Sequence, residues 1–296
     1  MTPPRKRRLK RILLTIAALV VVVPFVLLHA VSSLFAREEH AMAAFPVQVA
    51  TDSFGHTVRY YELDQLGAQW NLVYIHGTPG TAGAFREQFR DPFPGANVIA
   101  MNRPGFGGST PVLRRPNLDD QATAVGAVLA HLTNGLKTIL IGHSYGAPVA
   151  MEAALKFTNQ VAGVILIGGS VDPAQEHIYV IQRIADWFLL SWLMPRDLRQ
   201  CNRELLTLRG DLKLLKTQLP QLTVPVLMLH GVKDDHVPVA NVDYLRAQLA
   251  AAGKPGLFDK LIFPDYNHFI PWQHPDAVAQ AVSMMTNRLA AVPKTK

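Results

Sequence analysis

Ser144 lies in Gly142-His143-Ser144-Tyr145-Gly146, directly after the apolar run Thr138–Ile141 and before a helical stretch from Ala147 to about Phe157. A strand, a sharp turn bearing serine and a helix together make a nucleophile elbow, in which the hydroxyl stands clear of the sheet edge beside the N–H donors of the helix start. Gly142 and Gly146 suit the close backbone approach such a turn needs. The five residues alone also suit a tight turn whose serine merely caps the helix, so the partners decide. Asp234 follows the buried run Val224–Gly231, and His268 follows the apolar run Leu261–Phe263. A serine hydroxyl needs a base with pKa near 7, and an imidazole base works best when an ionised carboxylate fixes its tautomer. His268 is therefore expected to take the Ser144 proton and return it to the leaving group, with Asp234 holding the imidazole.

Further segments complete the pattern. His76-Gly77-Thr78-Pro79-Gly80 follows the run Leu72–Ile75, and Asn102-Arg103-Pro104-Gly105-Phe106-Gly107-Gly108-Ser109 follows Val98–Met101. With Gly231–Pro238 and Asn267–Ile270, the chain resembles the α/β-hydrolases over about residues 45–292, and the order Ser, Asp, His is that family's. The resemblance implies an oxyanion hole made by the backbone N–H groups of Thr78 and Tyr145. It also implies a helical cap over the active site. Two positions depart from the family's pattern. Asn102 stands where relatives usually have Asp, a mostly structural place. Asp235 stands where they commonly have Pro, leaving two adjacent carboxylates. Asp172, after the strand-like run Val161–Gly169, is a further candidate acid, because some relatives place it there.

The elements that must position these residues read as α/β. Val47–Ala50 and Val58–Leu63, turned around Asp52–Gly55, predict an antiparallel edge hairpin. Leu72–Ile75, Val98–Met101, Thr138–Ile141, Val161–Ile167, Val226–Leu229 and Leu261–Phe263 predict strands of a mostly parallel sheet with helices on both faces. Helices are expected over Asn241–Ala251 and from Pro275 to about Ala291. The alternation stops between Gly169 and Pro225. That stretch predicts helices over His177–Met194, Asp197–Leu208 and Leu212–Leu219, a cap insertion of about 172–222. Its apolar segment carries Trp187, Phe188, Leu190 and Trp192, expected to face the Ser144 pocket; the competing reading packs them on the core or rests them on a bilayer.

The N-terminus is organised differently. Residues 1–11 are basic, and an uncharged, mostly apolar run of 25 residues follows from Ile12 to Ala36, long enough to span a bilayer as a helix. It exceeds the usual apolar region of a signal peptide. The expectation is an uncleaved transmembrane anchor at 12–36, a short linker at 37–45 and an enzyme domain at 46–296, outside the cytoplasm of a bacterial cell. Six cationic residues among the first eleven account for most of the net charge of +7, so the basic balance is a topology signal and nucleic-acid binding is not expected. Cys201 is the only cysteine, which excludes an internal disulfide. The eleven histidines show no metal-ligand spacing, so neither a metal nor another cofactor is expected. His76 is expected to bond within its own loop, His143 to face away from the elbow, and His230 to lie in the core.

Together these readings predict a membrane-anchored serine hydrolase that cleaves a carboxylic ester, with an apolar acyl or alcohol part, through an acyl-enzyme. An amidase or aminopeptidase, to which the HGxPG stretch is also similar through proline iminopeptidases, and a carbon–carbon bond hydrolase are alternatives of the same fold. A tethered, catalytically silent binding module is the alternative from another class.

Overall fold

A computed structural model describes residues 4–111, 116–187 and 191–291, apart from the side chains of 4–6, 14 and 16–21. Its sheet contains β1 (Val47–Thr51), β2 (Thr57–Leu63), β3 (Trp70–Ile75), β4 (Ala96–Met101), β5 (Lys137–His143), β6 (Val161–Ile167), β7 (Val226–Gly231) and β8 (Phe258–Phe263). The strand order is β1-β2-β4-β3-β5-β6-β7-β8. β2 pairs antiparallel with β1 and with β4, and every later pair is parallel. The first turn is set by Asp52, whose Oδ1 accepts from the Phe54 and His56 N–H groups at 2.9 and 2.8 Å. The helices are α1 (Pro4–His40), α2 (Arg86–Arg90), α3 (Leu118–His131), α4 (Gly146–Lys156), α5 (Val180–Ala185), α6 (Arg196–Gln218), α7 (Ala240–Ala251), α8 (Ile270–Gln273) and α9 (Pro275–Ala290).

Strand alternation sorts the core into two layers. Val73, Leu140, Val164 and Met228 meet α3, α4, α6 and α7 on one face. Leu72, Ile139, Ile141, Ile165 and Leu227 meet Phe85, Phe89, Val278 and Val282 on the other. A central strand buried on both faces has no polar side, which is why these runs read as continuously apolar. The loops that carry Thr78, Ser144, Asp234 and His268 leave the carboxyl ends of these strands, where open α/β sheets place their sites.

The cap differs from expectation. The two expected helices Asp197–Leu208 and Leu212–Leu219 run together as one, α6, which passes straight through Gly210 and ends at Gln218. A mid-helix glycine costs only about 1 kcal/mol relative to alanine. Leu208, Leu212 and Leu215, all buried, hold the helix on either side of it. Of the expected helix His177–Met194, Val180–Ala185 and Ser191 are helical among the described residues, and Phe188, Leu189 and Leu190 lie outside them.

The N-terminal segment also differs. Residues 12–36 belong to a longer helix, α1, and among the described residues no helix is long and apolar enough to cross a membrane. The expected span is thus not supported, and the last residues of the apolar run touch the domain. Ser32 Oγ donates to Asp197 Oδ1 of α6 at 2.9 Å. Nor is 37–45 an extended linker. The helix continues to His40, Met42 is fully buried, and Gly83 sits so close that a Cβ there would fall 2.3 Å from the Glu38 carbonyl oxygen. Glu39 accepts from the Tyr61 hydroxyl at 2.7 Å and from Asn102 Nδ2 at 2.8 Å. That last bond accounts for the departure at 102: an aspartate there would set its carboxylate against that of Glu39, whereas the amide donates. Asn102 Oδ1 still accepts from Ala82 N at 2.8 Å.

Candidate active site

β5 ends at His143 and α4 starts at Gly146, so Ser144 occupies the turn between them. It has φ 54°, and is the one non-glycine among the described residues with positive φ. Such a conformation is costly for a serine and persists where the surroundings hold it. Both flanking glycines are required: a Cβ on Gly142 would fall 2.2 Å from the Gly146 carbonyl oxygen, and one on Gly146 2.2 Å from that of Ile75. The Ser144 N–H donates to Ile167 O at 2.9 Å, tying the elbow to β6. The loop after β3 runs against the same turn, since a Cβ on Gly77 would meet Ser144 Cβ at 2.8 Å. Thr78 and Tyr145 therefore flank the serine, with Tyr145 at the N-terminus of α4, where the helix dipole favours negative charge.

The structure brings Asp234 to the imidazole. His268 Nδ1 donates to Asp234 Oδ2 at 2.7 Å, both side chains being buried. Asp234 Oδ1 accepts from His236 N at 3.0 Å and Val237 N at 2.8 Å. Burial alone would raise this carboxyl, but the hydrogen bond and charge of His268, with the Val237 N–H, hold it below the usual carboxylate range. The other two candidate acids are engaged elsewhere. Asp172 Oδ1 accepts from Ala174 N at 2.9 Å within its own turn. Asp235 is exposed and pairs with His236 Nδ1 at 2.7 Å. Ligand atoms of Asp234, Asp235 and His236 lie within 4.8 Å of one another, which is metal-ligand spacing, but the Asp234 carboxylate already serves the imidazole and two backbone donors.

Ser144, His268, Thr78 and Tyr145 line one cavity of about 760 Å³. Tyr179, Leu205 and Leu208 of the cap line it too. Trp187 and Trp192 are not among its described lining, and both are largely exposed. Phe35 and Glu38 of α1 also line it, as does Glu176. Burial raises the carboxyl pKa of Glu38 against the Trp272 indole and the Arg86 charge, and that of Glu176 against a hydrogen bond from Ser170 Oγ. The sequence pattern did not single out these residues. A charged residue just beyond an apolar run reads as solvent-facing until the fold closes around it.

His143 corrects another expectation. It lines the cavity, and its Nε2 donates to the His268 carbonyl at 3.0 Å, with the rings 4.7 Å apart. His143 shares the parity of Ile139 and Ile141 on β5, so it projects onto their face of the sheet, where Trp272 packs edge-on at 5.2 Å. His230, in the core as expected, donates from Nε2 to Val237 O at 2.9 Å. Burial pushes the His143 imidazole down to about 3 and lowers those of His76 and His230. Each of these groups takes up its proton at lower pH in the folded chain than in the unfolded one, where protonation falls near pH 6.5. The unfolded state then binds more protons, so stability falls as pH drops below about 6.5 toward 3. A melting-temperature series from pH 8 to 4.5 should be flat and then decline. His143→Gln, which retains a donor to the His268 carbonyl, should decline less steeply; equal slopes would remove His143 as a source. Asp234 adds its loss only at lower pH, as its depressed carboxylate takes up a proton.

Comparison with known proteins places these features in context. A family model described as alpha/beta hydrolase fold matches residues 71–214. Protein ABHD8 of Mus musculus is 26% identical over 250 residues, covering 72% of this chain and 54% of that protein. The chain spans about half or less of the curated relatives it matches. Among solved structures, a membrane phospholipase A described as a novel bacterial virulence factor superposes with TM-score 0.63 at 20% identity, covering 97% of this chain and 99% of that one. A thermophilic esterase from Thermogutta terrifontis superposes with TM-score 0.63 at 18% identity, covering 82% and 99%.

Proposed function

Because the chain belongs to the α/β-hydrolase superfamily, we propose that it is a serine hydrolase cleaving a carboxylic ester, with an apolar acyl or alcohol part, through an acyl-enzyme. The observation that carries this reading is the bond from His268 Nδ1 to Asp234 Oδ2 at 2.7 Å, beside a cavity that holds Ser144 in its strained turn. With Nδ1–H committed to Asp234, the neutral imidazole keeps its lone pair on Nε2 to accept the Ser144 proton. Ser144 Oγ attacks the ester carbonyl, and the Thr78 and Tyr145 N–H groups receive the developing oxyanion. The tetrahedral adduct collapses and the imidazolium protonates the departing alkoxide. Water then repeats the sequence in reverse and releases the acid. Fluorophosphonate labelling at Ser144 tests the reading against a catalytically silent module; an intact, folded chain that takes no label would remove it.

The cavity wall of Phe35, Tyr179, Leu205, Leu208 and Phe269 supports an apolar substrate. Several solved relatives of this fold are described as esterases, and one as a phospholipase. Burying one methylene is worth up to about 0.8 kcal/mol, or roughly fourfold in kcat/KM. Over p-nitrophenyl esters from acetate to decanoate, kcat/KM should therefore climb until the cavity is filled. Leu205→Ala should weaken long chains more than acetate, whereas Trp192→Ala, at an exposed position, should act equally on all. A flat series would assign the apolar wall to packing.

The same reading places the protein at the cell inner membrane, held through the part of the apolar run 12–36 that precedes Ser32, with the catalytic domain outside the cytoplasm. Its support is the sequence: cationic residues before a long apolar run favour a cytoplasmic N-terminus. A reporter active only outside the cytoplasm, fused after Lys296, should be active. An inactive fusion made at normal level would overturn the placement.

A further inference from the structure

Arg103 is the largest fully buried side chain among the described residues, and the reaction written above leaves it without a role. Its guanidinium donates to Glu204 Oε1 at 2.6 Å and Oε2 at 3.1 Å, and both side chains are wholly buried. Its remaining donors point at the oxyanion loop: Nε reaches His76 O at 2.9 Å and a terminal nitrogen reaches Gly77 O at 2.9 Å. Its backbone N–H donates to His76 Nε2 at 3.0 Å, and His76 Nδ1 in turn donates to Gly77 O at 2.7 Å. The guanidinium carbon lies 4.7 Å from the Tyr145 ring centroid. One cation thus touches both sides of the candidate oxyanion hole, holding the carbonyl of the residue before Thr78 and facing the side chain of Tyr145. Glu204, which fixes that cation, sits on α6 and also accepts from Gln121 Nε2 at 3.0 Å. α6 presses on the same loops next to it: a Cβ on Gly105, at φ +92°, would fall 2.6 Å from Gln200 Cγ.

We propose that Arg103 and Glu204 are positioning residues that couple the seating of cap helix α6 to the geometry of the Thr78 and Tyr145 oxyanion donors. A planar guanidinium bridges a carboxylate and two carbonyls at fixed angles, which an ammonium cannot do. Donors aimed at the oxyanion stabilise it only when they are held in place beforehand. Seating of the cap and readiness of the hole are then one event: when α6 lifts, Glu204 leaves, and the guanidinium loses the partner that aims it.

The inference rests on the serine-hydrolase reading, so its test uses turnover of p-nitrophenyl butyrate by the full chain. An unaltered chain that neither labels nor turns over would defeat that reading first. Given turnover, Glu204→Gln should lower kcat at least about tenfold with KM within about twofold, the pattern of an interaction made in the transition state. An alkyl trifluoromethyl ketone, whose adduct places an oxyanion in the hole, should lose about tenfold in affinity, while the matching secondary alcohol should bind unchanged. Arg103→Lys should not restore kcat, whereas a purely structural need for buried positive charge would be met by lysine. Breaking a buried pair leaves a lone charge that can unfold the chain. The double variant Arg103→Gln with Glu204→Gln removes both charges and gives the same readout if the singles do not fold. A folded variant, single or double, that keeps kcat within twofold and the ketone-to-alcohol ratio of the parent would overturn the coupling.

Discussion

Ser144→Ala is expected to abolish fluorophosphonate labelling and to lower kcat by about 10⁴- to 10⁶-fold, and His268→Ala to do nearly the same. The two side chains act on one proton, so the double variant should be scarcely worse than either single. Additive losses would mean that they work in separate steps. The serine backbone is held by glycines on both sides and by its bond to Ile167 O, none of which uses the hydroxyl. Ser144→Ala should therefore melt close to the parent, separating lost chemistry from lost fold. Turnover surviving within tenfold in a folded Ser144→Ala variant would remove the acyl-enzyme mechanism, whatever the labelling showed.

What the sequence made legible was local. Gly142 and Gly146 bracket a serine between an apolar run and a helix, and the turn they imply depends on residues within five positions. The strands were legible because central strands buried on both faces carry unbroken apolar runs. Contacts between distant segments were not legible. Glu38 and Glu39 fall in the stretch 37–45 that reads as a linker, yet Tyr61 and Asn102 satisfy Glu39, and Glu38 lines the cavity. Trp187 and Leu205 are both apolar cap residues, and only the seating of α6 decides that Leu205 faces the pocket and Trp187 largely faces out. His143 follows strand parity past the end of the apolar run, a signal that turn chemistry alone overlooked. Arg103 and Glu204 are 101 positions apart, and nothing in either neighbourhood announces the other.

Asp234→Asn is the sharper test of the site, because it separates three carboxylates that lie close in sequence or in lineage. Asparagine keeps the shape, and its oxygen can still accept from His236 N and Val237 N, so the loop should hold. Its amide, however, offers a donor to His268 Nδ1 where the carboxylate offered an acceptor. The imidazole then carries its proton on Nε2 and has no lone pair for the serine, which predicts a loss of about 10⁴ in kcat. Asp172→Asn should cost little, since an asparagine oxygen accepts from Ala174 N as the carboxylate does. Asp235→Asn removes an exposed pair with His236, worth at most about 1 kcal/mol. Measuring kcat for the three variants on one ester, with melting temperatures alongside, distinguishes them. A collapse in Asp172→Asn with Asp234→Asn near the parent would move the acid to the end of β6. Collapse in both would mean that the turn closed by Asp172 Oδ1 and Ala174 N also supports the imidazole.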